Sequence, residues 1–184
     1  MVSWWRAKNP VVRFLVGSVI VMSVLQVALA TGFVKHRAIP AYQRLCASMS
    51  AGVIGLFGED ITANGPALAS PRFSVNIKKG CDAIQPTALL VAAVLASPVP
   101  LRRRLWGASV GTLFLAAMNL VRVISLFYIG IYWPNAFDMM HFEVWQAVFI
   151  FLAIAAWGLW AFWAARPDVP ARPAHKQAAS HEVG

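Results

Sequence analysis

The sequence predicts an all-α integral membrane protein: a bundle of about four transmembrane helices, with an interfacial helix and a small hairpin on the outer face. Three observations carry this. Of the 184 residues, 59% are hydrophobic and only 12% charged, and the mean hydropathy is +0.64, too apolar for an ordinary soluble domain. The apolar residues are gathered in runs near the length needed to cross a bilayer. The Lys and Arg residues behind the formal charge of +9 mostly flank those runs instead of crowding one soluble face. That is the topogenic use of basic residues, which excludes nucleic acid as the expected partner and makes the lipid bilayer the expected surroundings.

The elements follow in order. Met1 to Arg13 is short and basic, and the run Phe14 to Phe33 is longer than a signal-peptide core. Although Ala28-Leu29-Ala30 resembles a cleavage site, the length of the run predicts an uncleaved span. Pro40 to Phe57 carries Gln43, Arg44 and several serines, with Leu45, Met49, Val53 and Leu56 recurring at helical spacing. This predicts an amphipathic helix in the interface or against the bundle. Gly58 to Lys79 is polar and holds the turn signals Asn64-Gly65 and Ser70-Pro71. Phe73, Val75 and Ile77 alternate there with Ser74, Asn76 and Lys78, which predicts a short strand and a capping hairpin.

A second span is expected over Ile84 to Ala96, with Pro86 tolerated in its first turn. A third is expected over Trp106 to Tyr128 and a fourth over Phe142 to Ala164. Residues 1–164 thus form one polytopic membrane domain, and the Pro- and Ala-rich residues 165–184 a disordered cytoplasmic tail. Arg6, Lys8, Arg13, Arg102 to Arg104, Arg166, Arg172 and Lys176 gather on one side, while the other holds the acidic residues outside the tail together with Lys35, Arg37, Arg44, Arg72, Lys78 and Lys79; four spans with both termini in the cytoplasm satisfy this bias best.

Arg122 is the only charge in the third run, and an arginine at that depth costs roughly 2.5 kcal/mol or more. It is therefore expected to face protein or a wet cavity. Asn119, Arg122 and Ser125 recur every three residues and make one polar stripe. Cys81 and His141 lie just before the second and fourth spans, so the topology brings Cys81, Arg122 and His141 to one membrane boundary.

A thiolate is the reactive form of cysteine, and a helix N-terminus or a nearby cation favours it. His141 is placed to exchange the proton and Arg122 to stabilise an oxyanion, with Asp138 one turn before His141 to orient the imidazole. Cys46 reads as a small buried apolar residue. Cys81 and His141 supply too few ligands for zinc, so no metal and no cofactor are expected. A competing reading is a non-catalytic helical membrane subunit, with Arg122 and Asn119 as interhelical contacts.

Three segments carry a resemblance: Lys79-Gly80-Cys81-Asp82-Ala83, Asn119-Leu120-Val121-Arg122 through Phe127, and Phe137 to His141 through Trp145-Gln146. They resemble the exosortase/archaeosortase family, and most of all its compact exosortase H group. The resemblance implies a membrane cysteine protease or transpeptidase acting at the outer face of the bacterial cytoplasmic membrane. Its partners would be secreted proteins with a C-terminal sorting tail, cut through a thioester on Cys81, with Arg122 and His141 completing the trio. Where the family often has Ser or Asn followed by Gly after the cysteine, this chain has Asp82-Ala83.

Overall fold

The computed structural model describes residues 9–77 and 82–166. Residues 1–8, Lys78 to Cys81 and residues 167–184 lie outside them, so the basic N-terminus, the end of the expected strand and nearly all of the expected tail do too.

Helix α1 spans Pro10–Ala30. Asn9 Oδ1 accepts the Val11 N–H at 3.0 Å, and Pro10 occupies a first-turn position where a missing N–H leaves nothing unpaired. No residue of α1 is buried by protein. The helix stops at Thr31, in extended geometry, whose hydroxyl and N–H both return to the Ala28 carbonyl. The chain re-enters helix and passes through a π turn, Val34–Ala38, into α2, Ile39–Leu56. The first expected span therefore ends a few residues early, and the expected interfacial helix begins one residue before Pro40.

Helix α2 turns its small side chains to the protein. Cys46, Ala47, Ser50 and Ile54 point into protein, while Leu45, Met49, Val53 and Leu56 are exposed. Small side chains allow close approach between helices in an apolar medium, where large apolar residues gain nothing by turning inward.

Beyond α2 lies a three-stranded antiparallel sheet in chain order: β1 (Thr62–Asn64), β2 (Ala67–Ala69) and β3 (Ser74–Asn76). Gly65, with φ +63°, takes the first position of the two-residue turn that pairs Asn64 with Ala67. The expected alternation holds at Val75 and Ile77, both buried, but the hairpin has become a three-strand meander. The segments Thr62–Asn64 and Ala67–Ala69 are too short, and too rich in Ala and Asn, to read as strands beforehand.

Helix α3 (Ile84–Ala96) sits inside the bundle and packs against α1, α4 (Leu101–Tyr132) and α5 (Trp145–Ala164). Among the described residues, three helical stretches are long and apolar enough to cross a membrane: Pro10–Ala30, Leu101–Tyr132 and Pro134–Ala164. α3, expected as a span, has 13 residues, about 20 Å of helix against a hydrocarbon core of about 30 Å. By length the expected four spans are therefore three, plus one short apolar helix.

The arginine triplet explains how the bundle is closed at one end. Arg103 Nη1 donates to the carbonyls of Ala164 at 2.7 Å and Arg166 at 2.8 Å, at the end of α5. Arg104 donates to Leu95 at 2.9 Å and Val99 at 2.7 Å, at the end of α3. Cations at helix C-termini satisfy orphan carbonyls and oppose the negative end of the helix dipole. Arg103 and Arg104 thus cap two neighbouring helices. At the opposite end, α2 and the sheet share a core with the second half of α4 through Cys46, Ile54, Leu68, Ile77, Val123 and Phe127.

Candidate functional site

Asn119 and Arg122 lie one turn apart on α4 and are 0% and 2% exposed. The Arg122 Nη2 donates to the carbonyl oxygen of His141 at 3.0 Å, and its guanidinium stands 5.5 Å from the centre of the Phe149 ring. The entry to α5 makes this contact possible. After Tyr132 the chain passes a 3-10 turn (Pro134–Ala136), one helical turn (Phe137–Met139) and a π turn, Met140–Val144, that contains His141. A π turn departs from the regular i to i−4 ladder and leaves carbonyls open to other donors, a geometry frequent at functional sites. Ser125, the third residue of the expected stripe, instead donates back to the Arg122 carbonyl at 2.8 Å and adds nothing to the site.

His141 is half-buried. Its ring stacks on Phe142 at 4.5 Å and meets the edge of Phe137 at 5.5 Å. Nδ1 is buried, and among the described residues it has no hydrogen-bond partner. Asp138 is exposed and makes no hydrogen bond to His141 among the described residues, so aromatic packing, not that carboxylate, fixes the ring. Phe137 in turn packs on Phe73, just before β3, and Phe73 on Phe127 of α4. A Cβ on Gly130 would fall within the Phe73 ring, so only glycine lets Phe73 lie this close to α4. The sheet therefore supports the histidine through two aromatic contacts.

Helix α2 brings groups that the sequence did not single out. Asn119 Nδ2 lies 4.0 Å from Cys46 Sγ, and the Tyr42 phenol is in hydrogen-bonding reach of Cys46 and Asn119. Burial raises the pKa of both the Cys46 thiol and the Tyr42 phenol, which keeps them protonated near neutral pH. Cys46 is accordingly buried as expected, but against a polar neighbour. One residue away, Gln43 Nε2 donates to Asp82 Oδ2 at 3.2 Å, while Asp82 Oδ1 accepts the Ile84 N–H at 3.3 Å. Asp82 is only 4% exposed.

Cys81 itself lies outside the described residues, one peptide bond before Asp82. Arg122, Asn119 and His141 are brought together, and Asp138 stands apart. Tyr42 and Gln43 could have been suspected only from the polar, small-residue side of α2, a weak signal beside its conspicuous leucine and methionine stripe, and Asp82 only from its place beside Cys81.

One cavity borders the cluster and a second lies apart from it. One of about 350 Å³ is lined by Leu25, Leu29, Tyr42, Asp82, Thr87 and Thr112, and so reaches the residue after Cys81. A larger one of about 840 Å³ lies among Trp106, Trp160, Trp163 and their neighbours, near the arginine caps and away from these groups.

Compared with known families, residues 1–159 match the transmembrane exosortase (Exosortase_EpsH) family. No curated protein and no solved structure matches the chain. The matched region contains Tyr42, Gln43, Cys46, Asp82, Asn119, Arg122 and His141 and all three long apolar helices apart from the last turns of α5. On this ground the chain belongs to the transmembrane exosortase family, and it is a multi-pass membrane protein.

Proposed function

We propose that this chain is a cysteine peptidase or transpeptidase that cuts the C-terminal sorting signal of secreted proteins at the outer face of the cytoplasmic membrane. The family is one of membrane sorting enzymes of the transpeptidase type. The observation that carries the finer reading is the buried Arg122 bound to the backbone of His141, which joins two of the three candidate groups at one end of the bundle. A guanidinium is costly to bury, and one paired to a backbone beside an imidazole supports catalysis better than packing alone.

In the proposed reaction, the Cys81 sulfur attacks the scissile carbonyl and its proton passes to His141. The tetrahedral oxyanion forms in reach of the Arg122 charge, held in a low-dielectric setting where such stabilisation is largest. Collapse breaks the peptide bond, the proton moves from His141 to the leaving amine, and an acyl thioester remains on Cys81. Water or an acceptor amine then attacks that thioester, with His141 again accepting the proton, and restores the thiol. Asn119 holds the α4 side of the site against α2, and Asp138 contributes only its charge. The arginine-capped end is assigned to the cytoplasm and the His141 end to the outer face, following the basic residues.

The test is tail removal in cells. A secreted protein with its native sorting tail is co-expressed with wild type or Cys81→Ser, and its mass is followed. Loss of the tail with wild type only is the expected result. Equal processing in both, at equal membrane levels, removes Cys81 as nucleophile. The non-catalytic subunit reading then takes precedence, since the Arg122 contact with His141 also ties two helical segments together.

A further inference from the structure

The start of α3 is held more firmly than a helix N-terminus requires. Asp82 reaches forward to the Ile84 N–H and sideways to Gln43 of α2, at 3.3 and 3.2 Å. Thr87 Oγ1 donates to the Ala83 carbonyl at 2.8 Å. Gln85 exchanges amide hydrogen bonds with Gln26 of α1, at 2.7 and 3.5 Å. Pro86 is the third helical residue, where no intrahelical N–H bond is lost. Every polar side chain from Asp82 to Thr87 is thus engaged, on two different helices. Between these contacts Ala83 is forced to φ +53° while 3% exposed. An ordinary N-cap needs none of this, and a non-glycine residue in the left-handed region persists only where its surroundings over-determine it.

We infer that Gln43 and Asp82 form a positioning pair, which fixes the Asp82–Ala83 peptide, the first one wholly beyond the nucleophile, against α2, the helix whose Tyr42 and Cys46 also meet Asn119. The inference rests on the reading of Cys81 as nucleophile. Its geometric basis lies in residues 43, 82, 83 and 84 alone. Asp82 lines the 350 Å³ cavity together with Tyr42, the residue before Gln43, so the pair's acceptor borders the space through which a substrate chain would approach the residue next to Cys81. In a buried place a carboxylate requires a donor, and Gln43 is that donor.

The experiment uses the full chain in detergent and a synthetic sorting-tail substrate. Gln43→Leu removes a hydrogen bond to a buried carboxylate, and kcat is expected to fall about tenfold or more, with KM changed less than about twofold. Iodoacetamide alkylation of Cys81, mapped by mass, is expected to shift its pH profile in the same variant. Gln43→Glu sets two carboxylates against each other and is expected to lose activity. Combining it with Asp82→Asn reverses donor and acceptor: the introduced asparagine amide donates to the introduced glutamate, and its oxygen still accepts from Ile84. This double variant is expected to recover kcat to within about threefold of wild type, given matched hydrogen-bond geometry.

Unchanged kcat and alkylation profile in Gln43→Leu overturns the inference, as does a well-folded double variant without recovery. If neither variant accumulates as folded protein, the pair is a folding element and the inference is likewise overturned. Loss of Cys81 dependence in the wild type would be a separate failure, that of the proposed function.

Discussion

Replacing Arg122 by methionine separates catalysis from packing. Arg122 is 2% exposed, donates to the His141 carbonyl at 3.0 Å and lies 5.5 Å from the Phe149 ring. A hydrogen bond to a charged donor contributes about 1.5–3 kcal/mol, and a desolvated cation–π contact about 2 kcal/mol. Against these stands the several-kcal/mol desolvation of the guanidinium, which is why apolar replacement of a buried ion is often neutral or stabilising. Met fills much of the same volume, so Arg122→Met is expected to fold at wild-type yield, with a thermal midpoint in detergent within a few degrees. Arg122→Ala instead opens a cavity beneath Phe149 and is expected to lose about 3–5 kcal/mol, by analogy with removal of one partner from a buried ionic contact.

Activity should behave otherwise. Loss of a preorganised oxyanion donor costs about 10²–10³ in kcat, and both variants should show at least that in tail cleavage. The assay pairs size-exclusion and thermal profiles in detergent with the mass of a co-expressed tailed substrate. A folded Arg122→Met that cleaves within a few-fold of wild type would refute the reasoning and leave Arg122 as an interhelical contact.

Three further outcomes are expected. Ala83 sits at φ +53°, where glycine carries no steric penalty of about 1–2 kcal/mol. Ala83→Gly gives up one buried methyl, about 0.8 kcal/mol, so the thermal midpoint should stay level or rise, whereas Ala83→Val should sharply reduce folded yield. Gly130→Ala drives a methyl into the Phe73 ring and should cost about 1–3 kcal/mol on denaturation. Because Phe73 supports Phe137, which packs on His141, tail cleavage should fall further than global stability predicts. Burial raises the Cys46 thiol pKa, so at pH 7–8 iodoacetamide should modify native Cys46 only after detergent unfolding, with mass mapping as the readout. Rapid labelling of native Cys46 would contradict the burial described here.

Much of this molecule was legible in its sequence. Apolar runs bounded by arginines gave a helical membrane protein, because backbone in a bilayer has no other way to satisfy its hydrogen bonds within one segment. The lone Arg122 marked a buried site for the same reason of cost. Segment motifs around Cys81, Asn119 and His141 pointed to the family that residues 1–159 match. Which side of α2 packs on protein was not legible, since large apolar residues mark that side only where water is the alternative. Nor were the shortness of α3 or the two strands beside β3, which are held by neighbours and not by propensity.

Chain pattern by itself determined the class of protein and the residues expensive enough to need a purpose. Tertiary structure alone decided what those residues touch. Arg122 donates to the backbone carbonyl of His141, Phe137 and Phe142 pack on the His141 ring, and Gln43 reaches Asp82 across 39 residues. Hydropathy is a property of each segment against lipid and can be summed along the chain. Hydrogen bonds between buried side chains depend on how helices rotate and stack against each other, which no segment encodes alone.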